Sequence, residues 1–265
     1  DINMAQNGPF AVVVFYADDG EDVDQYVWLQ EGLSNWGYIT LVVEDNTDWD
    51  AIEYQLIGWN NGSQESVPDA VNMFALNHVA LSGHGTGAHT AAEIVKSSNY
   101  EIDGLFGLGL DGSSTQHSGD VILSRPSSAL FLTGTTDDIA PADDNVMSYL
   151  VDWPGAWQIM HPLGANHIGY QESDTFFERL ADGDDNMGRD GQQSHALKHI
   201  LPYLNLSLKG DDSAYQIAFN REDKSVSSDS ESYIDEDLSR SRLYKMENIT
   251  SSLLSVMLNQ SFTVS

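Results

Sequence analysis

Three short stretches of this 265-residue chain carry the residue types that hydrolytic chemistry uses. The first is Ser82-Gly83-His84-Gly85-Thr86-Gly87, which follows the apolar run at residues 78–81 and precedes a helical pattern at residues 88–95. A strand, then Gly-x-x-x-Gly, then a helix is the setting of a nucleophile elbow, where flanking side chains must be absent for the backbones to pass. A working elbow carries serine at its apex, and the backbone N–H of the next residue helps to hold an oxyanion. Here the apex is Gly85 and the next residue is Thr86. Glycine accepts a positive φ, so the turn should survive, but it has no atom able to attack a carbonyl carbon.

The second stretch is the run at residues 129–133 leading into Gly134-Thr135-Thr136-Asp137-Asp138-Ile139-Ala140-Pro141. The third is Gly164-Ala165-Asn166-His167, which follows the apolar residues 157–160. Asp137 and His167 thus fall just past strand ends, on the rim where α/β sheets keep their sites. Histidine titrates near neutrality and can take a proton from a hydroxyl, and a buried carboxylate fixes its tautomer. Elbow, acid and histidine appear in the chain order of a hydrolytic triad. Ser82 precedes the turn and Thr86 follows its apex, so neither is expected to present its oxygen to His167.

The elements that must position these residues alternate short β-branched runs with longer amphipathic ones over the first 210 residues. That is the βαβα pattern of a parallel sheet covered on both faces. Strands are expected at residues 10–15, 38–43, 78–81, 104–110, 129–133 and 157–160. Helices are expected at 22–36, 49–59, 88–95 and 194–208, with Gly37 and Gly210 placed to end the first and last. The domain is expected to span residues 1–215. Residues 216–242 are a Ser/Asp-rich acidic linker, with too little apolar surface to offset ordering entropy. Residues 243–265 turn apolar again, as an added strand or a partner-binding element.

These segments resemble the dienelactone-hydrolase-like branch of the α/β-hydrolases, and within it the cutinase-like polyester hydrolases and acetylhydrolases. That family's elbow usually reads Gly-His-Ser-x-Gly, against Gly83-His84-Gly85-Thr86-Gly87 here. Its acid loop commonly reads Asp-x-Ile-Ala-Pro, matched by Asp137 to Pro141, and its histidine follows a small-residue stretch, matched by Gly164 to His167. Its late helix often ends in a sequence such as Leu208-Lys209-Gly210-Asp211. The resemblance covers roughly residues 8–211 and implies an α/β-hydrolase fold. It assigns Asp137 as acid, His167 as base, Gly85 as the vacant nucleophile position and Thr86 as the oxyanion backbone donor.

Three departures qualify what the resemblance implies. The nucleophile is missing. The loop after the first strand reads Tyr16-Ala17-Asp18-Asp19-Gly20 instead of Pro-Gly-aromatic, placing carboxylates where they would oppose an oxyanion. The family usually has two antiparallel strands before this point, which this sequence begins too late to contain; either the product is truncated, or the C-terminal segment or another subunit is expected to cover the sheet edge. Loss of nucleophile and oxyanion loop together is the pattern of a natural pseudoenzyme with a binding or structural role. The alternative is a carboxylic ester hydrolase in which position 85 is not serine in this chain.

Composition bounds the partners. The 41 acidic residues against 11 basic ones give a formal net charge of -30, which repels nucleic acid and anionic membranes. Adaptation to high salt, where screening relieves self-repulsion, is the favoured reading of this charge. Sequons at Asn61, Asn205, Asn248 and Asn259 agree with an extracellular or cell-surface location. With no cysteine, disulfides and thiolate metal sites are excluded. No cofactor is expected beyond calcium, for which Asp182, Asp184, Asn186 and Asp190 place oxygen ligands at alternate positions without an EF-hand's glycine or closing glutamate. Asp18 to Asp24 is a lesser candidate. His84 and His89 flank the elbow, and His195 and His199 lie four apart without completing a zinc motif.

Overall fold

The structure, a computed structural model, describes residues 8–64, 71–98, 100–112, 128–149, 153, 157–214 and 242–243. Six strands run parallel: β1 (Phe10–Tyr16), β2 (Ile39–Val43), β3 (Phe74–His84), β4 (Gly104–Leu108), β5 (Ser128–Leu132) and β6 (Trp157–Met160). They lie in the order β2-β1-β3-β4-β5-β6, and β7 (Arg242–Leu243) pairs antiparallel with β6 at the far edge. Between them run α1 (Val27–Ser34), α2 (Trp49–Asn60), α3 (Gly85–Ser97), α4 (Val146–Tyr149), α5 (Phe176–Ala181) and α6 (Arg189–Lys209).

The β1 sequence shows why the sheet is covered twice. Residues 11–16 are all buried, and their side chains alternate between two cores. Val12, Val14 and Tyr16 pack with Trp49, Ile52 and Leu56 of α2 and Ala88, Ala91 and Val95 of α3. Ala11, Val13 and Phe15 pack with Leu29 and Leu33 of α1 and Ile200, Tyr203 and Leu204 of α6 on the other face. The doubly wound α/β architecture expected from the sequence is therefore present, in a form compatible with an α/β-hydrolase-like fold. β2 is one edge of the described sheet, and all five of its residues are only partly buried. No described helix is long and apolar enough to cross a membrane.

Several element bounds differ from expectation. Residues 22–36 form a 3-10 turn (Val23–Tyr26), which buries Tyr26 at its end, and then α1. β3 begins four residues early, at Phe74, and carries a register shift against β1 between Ala11 and Val12. α3 starts at the elbow itself, at Gly85. α6 starts at Arg189, so Asp190 falls in its first turn, where a carboxylate favours the helix dipole. Gly37 and Gly210 end α1's turn and α6 at φ of 76° and 63°. The expected linker and closing segment lie outside the described residues, apart from Arg242–Leu243.

The connections set the site. From β1 the chain steps outward to β2, and from β2 it returns across β1 to β3, so the winding reverses between β1 and β3. That crevice, at the C-terminal ends of the strands, is where such sheets bind ligands. The loop after β1, the β3–α3 elbow, and the loops after β5 and β6 all open onto this rim.

Candidate functional site

The elbow has the geometry its glycines imply. A side chain at Gly87 would strike the backbone of β1's end, 2.1 Å from the Ala17 oxygen, and one at Gly83 would lie 2.4 Å from the Gly87 backbone. Gly85 has φ +52°, the left-handed apex conformation of a nucleophile. The space above it is taken. A Cβ at Gly85 would lie 2.1 Å from Oδ1 and 2.4 Å from Oδ2 of Asp18. The Asp18 carboxylate, reaching over from the loop after β1, occupies the space that a side chain at position 85 would need.

Both of its oxygens are engaged. Asp18 Oδ1 accepts the Thr86 backbone N–H at 2.8 Å, the Thr86 hydroxyl at 3.0 Å and the Asp19 N–H at 2.9 Å. Asp18 Oδ2 lies 3.0 Å from His167 Nε2, and His167 Nδ1 lies 3.1 Å from Asp137 Oδ2. Asp137 Oδ1 in turn accepts the Ala140 N–H at 2.6 Å. Asp137 and His167, predicted as acid and base, are therefore joined and buried. The Thr86 N–H is taken by Asp18, one of the carboxylates that sequence reasoning placed close to this turn. Of the other hydroxyls near the apex, Ser82 donates to the Val14 carbonyl at 3.0 Å and Thr86 to Asp18, so neither addresses His167.

Charge follows from this geometry. Burial pushes the His167 imidazole down, but hydrogen bonds and charge from Asp137 and Asp18 outweigh it and carry the pKa up to about 10. Burial would raise the Asp18 carboxyl, yet the His167 hydrogen bond, the nearby imidazoles and the Thr86 N–H hold it well below the usual carboxylate range. His167 is thus held as an imidazolium between two carboxylates. His84, the last residue of β3, is fully buried beside it, with ring centroids 4.4 Å apart. Burial first, then repulsion from His167, pushes His84 down to about 3, so it is neutral. Its Nδ1 pairs with the Tyr26 hydroxyl at 3.0 Å.

The stretch considered for calcium braces the site. Asp182 accepts the Asp138 and Gly183 N–H groups on one oxygen and the Ile168 N–H on the other, tying the acid loop to the histidine loop. The Thr136 hydroxyl lies within hydrogen-bond distance of the Ala165 and Asp184 carbonyls and its one hydrogen is shared between them, and Asn166 donates to the Gly183 carbonyl. Asp182, Asp184 and Asp190 do not bring their carboxylates together, and Asn186 engages the loop through its backbone N–H to Gly164. His195 and His199 lie inside α6's packed face, rings 4.5 Å apart, and His89 stands 3.8 Å from Glu93. Gly109 was not singled out by sequence. A Cβ there would lie 2.9 Å from His167 Nδ1, so its bareness makes room for the His167–Asp137 pair. A separate open groove of about 700 Å³, lined by Asp45, Asp48, Asp50, Glu53 and Tyr100, flanks the start of α2.

A scan against known protein families finds no match, and a search of curated proteins finds none either.

Proposed function

We propose that this chain is an α/β-hydrolase-like protein that turns over no ester and serves as a binding or structural subunit. One observation carries the reading: the Asp18 carboxylate fills the space that a side chain at position 85 would need and takes both the Thr86 N–H and His167. A carbonyl substrate would have to displace an anion from the very donors that should stabilise its own oxyanion. The affinity to the dienelactone-hydrolase-like branch belongs to this proposal and draws on the elbow, acid and histidine motifs. So do an extracellular or cell-surface setting, drawn from the sequons and the acidic surface, and self-association along the β2 edge. Calcium at the acidic stretch from Asp182 to Asp190 is the cofactor this reading would admit.

A second reading, a carboxylic ester hydrolase in a form with serine at position 85, draws on the intact His167–Asp137 pair. It requires Asp18 to leave. The test is hydrolysis of p-nitrophenyl acetate by the unaltered chain, by Gly85→Ser, and by Gly85→Ser combined with Asp18→Gly. The expected result is no turnover above buffer for the first two, with a gain in the double variant alone. Turnover by the unaltered chain overturns the proposal.

A further inference from the structure

We infer that Asp18, His84 and His167 form a binding site for a divalent transition ion of the zinc or iron(II) class. Each of the three can offer one ligand atom, and these atoms lie within 4.8 Å of one another. The inference deepens the binding role proposed above and rests on the same Asp18 side chain.

Four observations point to a metal. The first is chemical: two imidazoles and one carboxylate suit borderline divalent ions and leave coordination positions open. The second is an orphan. His84 Nε2 is buried without a well-formed hydrogen bond, the His167 backbone interacting with this imidazole only weakly. A buried ring nitrogen without a partner is costly unless something takes it up. The third is the outer shell. Metal-bound histidines hold their second nitrogen on a carboxylate, carbonyl or hydroxyl, which fixes the ring. Here His167 Nδ1 rests on Asp137 and His84 Nδ1 on the Tyr26 hydroxyl. The fourth is space: glycine at 85 carries no side chain that would push Asp18 from its place beside His167.

The geometry is near what an ion needs. Ligands at zinc distances of ~2.0–2.1 Å stand about 3.3 Å apart around a tetrahedral centre. Asp18 Oδ2 and His167 Nε2 are already 3.0 Å apart. An ion would take the place of the hydrogen they share. The remaining adjustment falls to Asp18, whose side chain is 16 % exposed and sits on a loop, whereas both rings are packed. That exposure also gives the ion a way in. Edge-on contacts with Tyr26 and Tyr170 hold the His84 ring in place.

The test is titration of the chelator-stripped full chain with cobalt(II), followed by visible absorption, and with zinc(II), followed by calorimetry. The expected result is one ion per chain with low-symmetry cobalt bands, and no matching signal with calcium. Asp18→Asn, which keeps the side chain's shape, and His84→Phe should each abolish the bands. Tyr26→Phe, which touches only the outer shell, should weaken binding about 10–100-fold. His199→Gln should change nothing. Absence of binding in the folded chain, or binding that survives Asp18→Asn and His84→Phe, overturns the site. Ester turnover is read separately, so either claim can fail alone.

Discussion

At the scale of single residues, position 85 carries the account. Serine there would place its Cβ against the Asp18 carboxylate at 2.1 Å, so Asp18 must shift and give up its hydrogen bonds. Overpacking of this kind costs about 1–3 kcal/mol. Gly85→Ser should therefore lower the denaturation midpoint, and Asp18→Gly in the same chain should return part of that loss. A double-mutant cycle in urea measures it, and simple additivity would show that the two positions do not compete for space. Asp182 is the second residue to probe. It satisfies three backbone N–H groups, and truncating it leaves buried donors unpaired at about 1–3 kcal/mol each. Asp182→Ala should thus be markedly destabilising by urea unfolding, with or without calcium. A stabilising effect of calcium lost in this variant would instead mark Asp182 as a ligand.

One carboxyl pair gives the site's rim a pH dependence. Burial, then the hydrogen bond and charge of Glu178, push Glu21 from 4.5 up to about 7. Such a group binds its proton more tightly folded than unfolded. Its contribution is complete below pH 4.5 and is lost as pH rises through about 7. Urea midpoints measured on either side of that window should fall with pH, and Glu21→Gln should flatten the slope. An unchanged slope in the variant contradicts the pairing.

At the scale of elements, the most informative piece is α5. Its capping box between Thr175 and Glu178 fixes the helix end, yet Phe176, Phe177 and Leu180 remain 74 %, 78 % and 73 % exposed. Residues that bury so little cannot hold the fold together, so replacing both phenylalanines with serine should leave Tm essentially unchanged. A large drop would mean that these rings are covered in solution. Elements of this kind also show what sequence can and cannot reveal. β1 was legible because six consecutive apolar residues, buried on both faces, have few other homes. Gly37 and Gly210 were legible as helix stops through their backbone freedom. Asp137 and His167 were legible through local context alone. The Asp18 clasp was only half legible: carboxylates were expected near the oxyanion hole, but the contact joins residues 149 apart in sequence. Nothing local distinguishes Asp18 from Asp19. The Asp182 brace was hidden differently, since a turn that accepts backbone N–H groups uses the same Asp-Gly-Asp composition as a calcium loop.

At the scale of the whole molecule, the net charge of -30 dominates. Self-repulsion on this scale opposes compaction, and it weakens as the Debye length falls from about 30 Å at 0.01 M salt to about 3 Å at 1 M. Tm should therefore rise with sodium chloride, each kcal/mol relieved showing as roughly 2–4 °C for a domain of this size. A flat or falling Tm would assign the acidic surface to solubility or ligand binding instead.

The same molecule holds an imidazolium between two carboxylates and a glycine at the apex of its β3–α3 turn. The most direct check is the intact mass of the unaltered chain after exposure to a fluorophosphonate probe. The account predicts an unchanged mass, because among the described residues no hydroxyl is aligned with His167 and Asp18 already engages the Thr86 N–H. A single covalent phosphonyl adduct would contradict it.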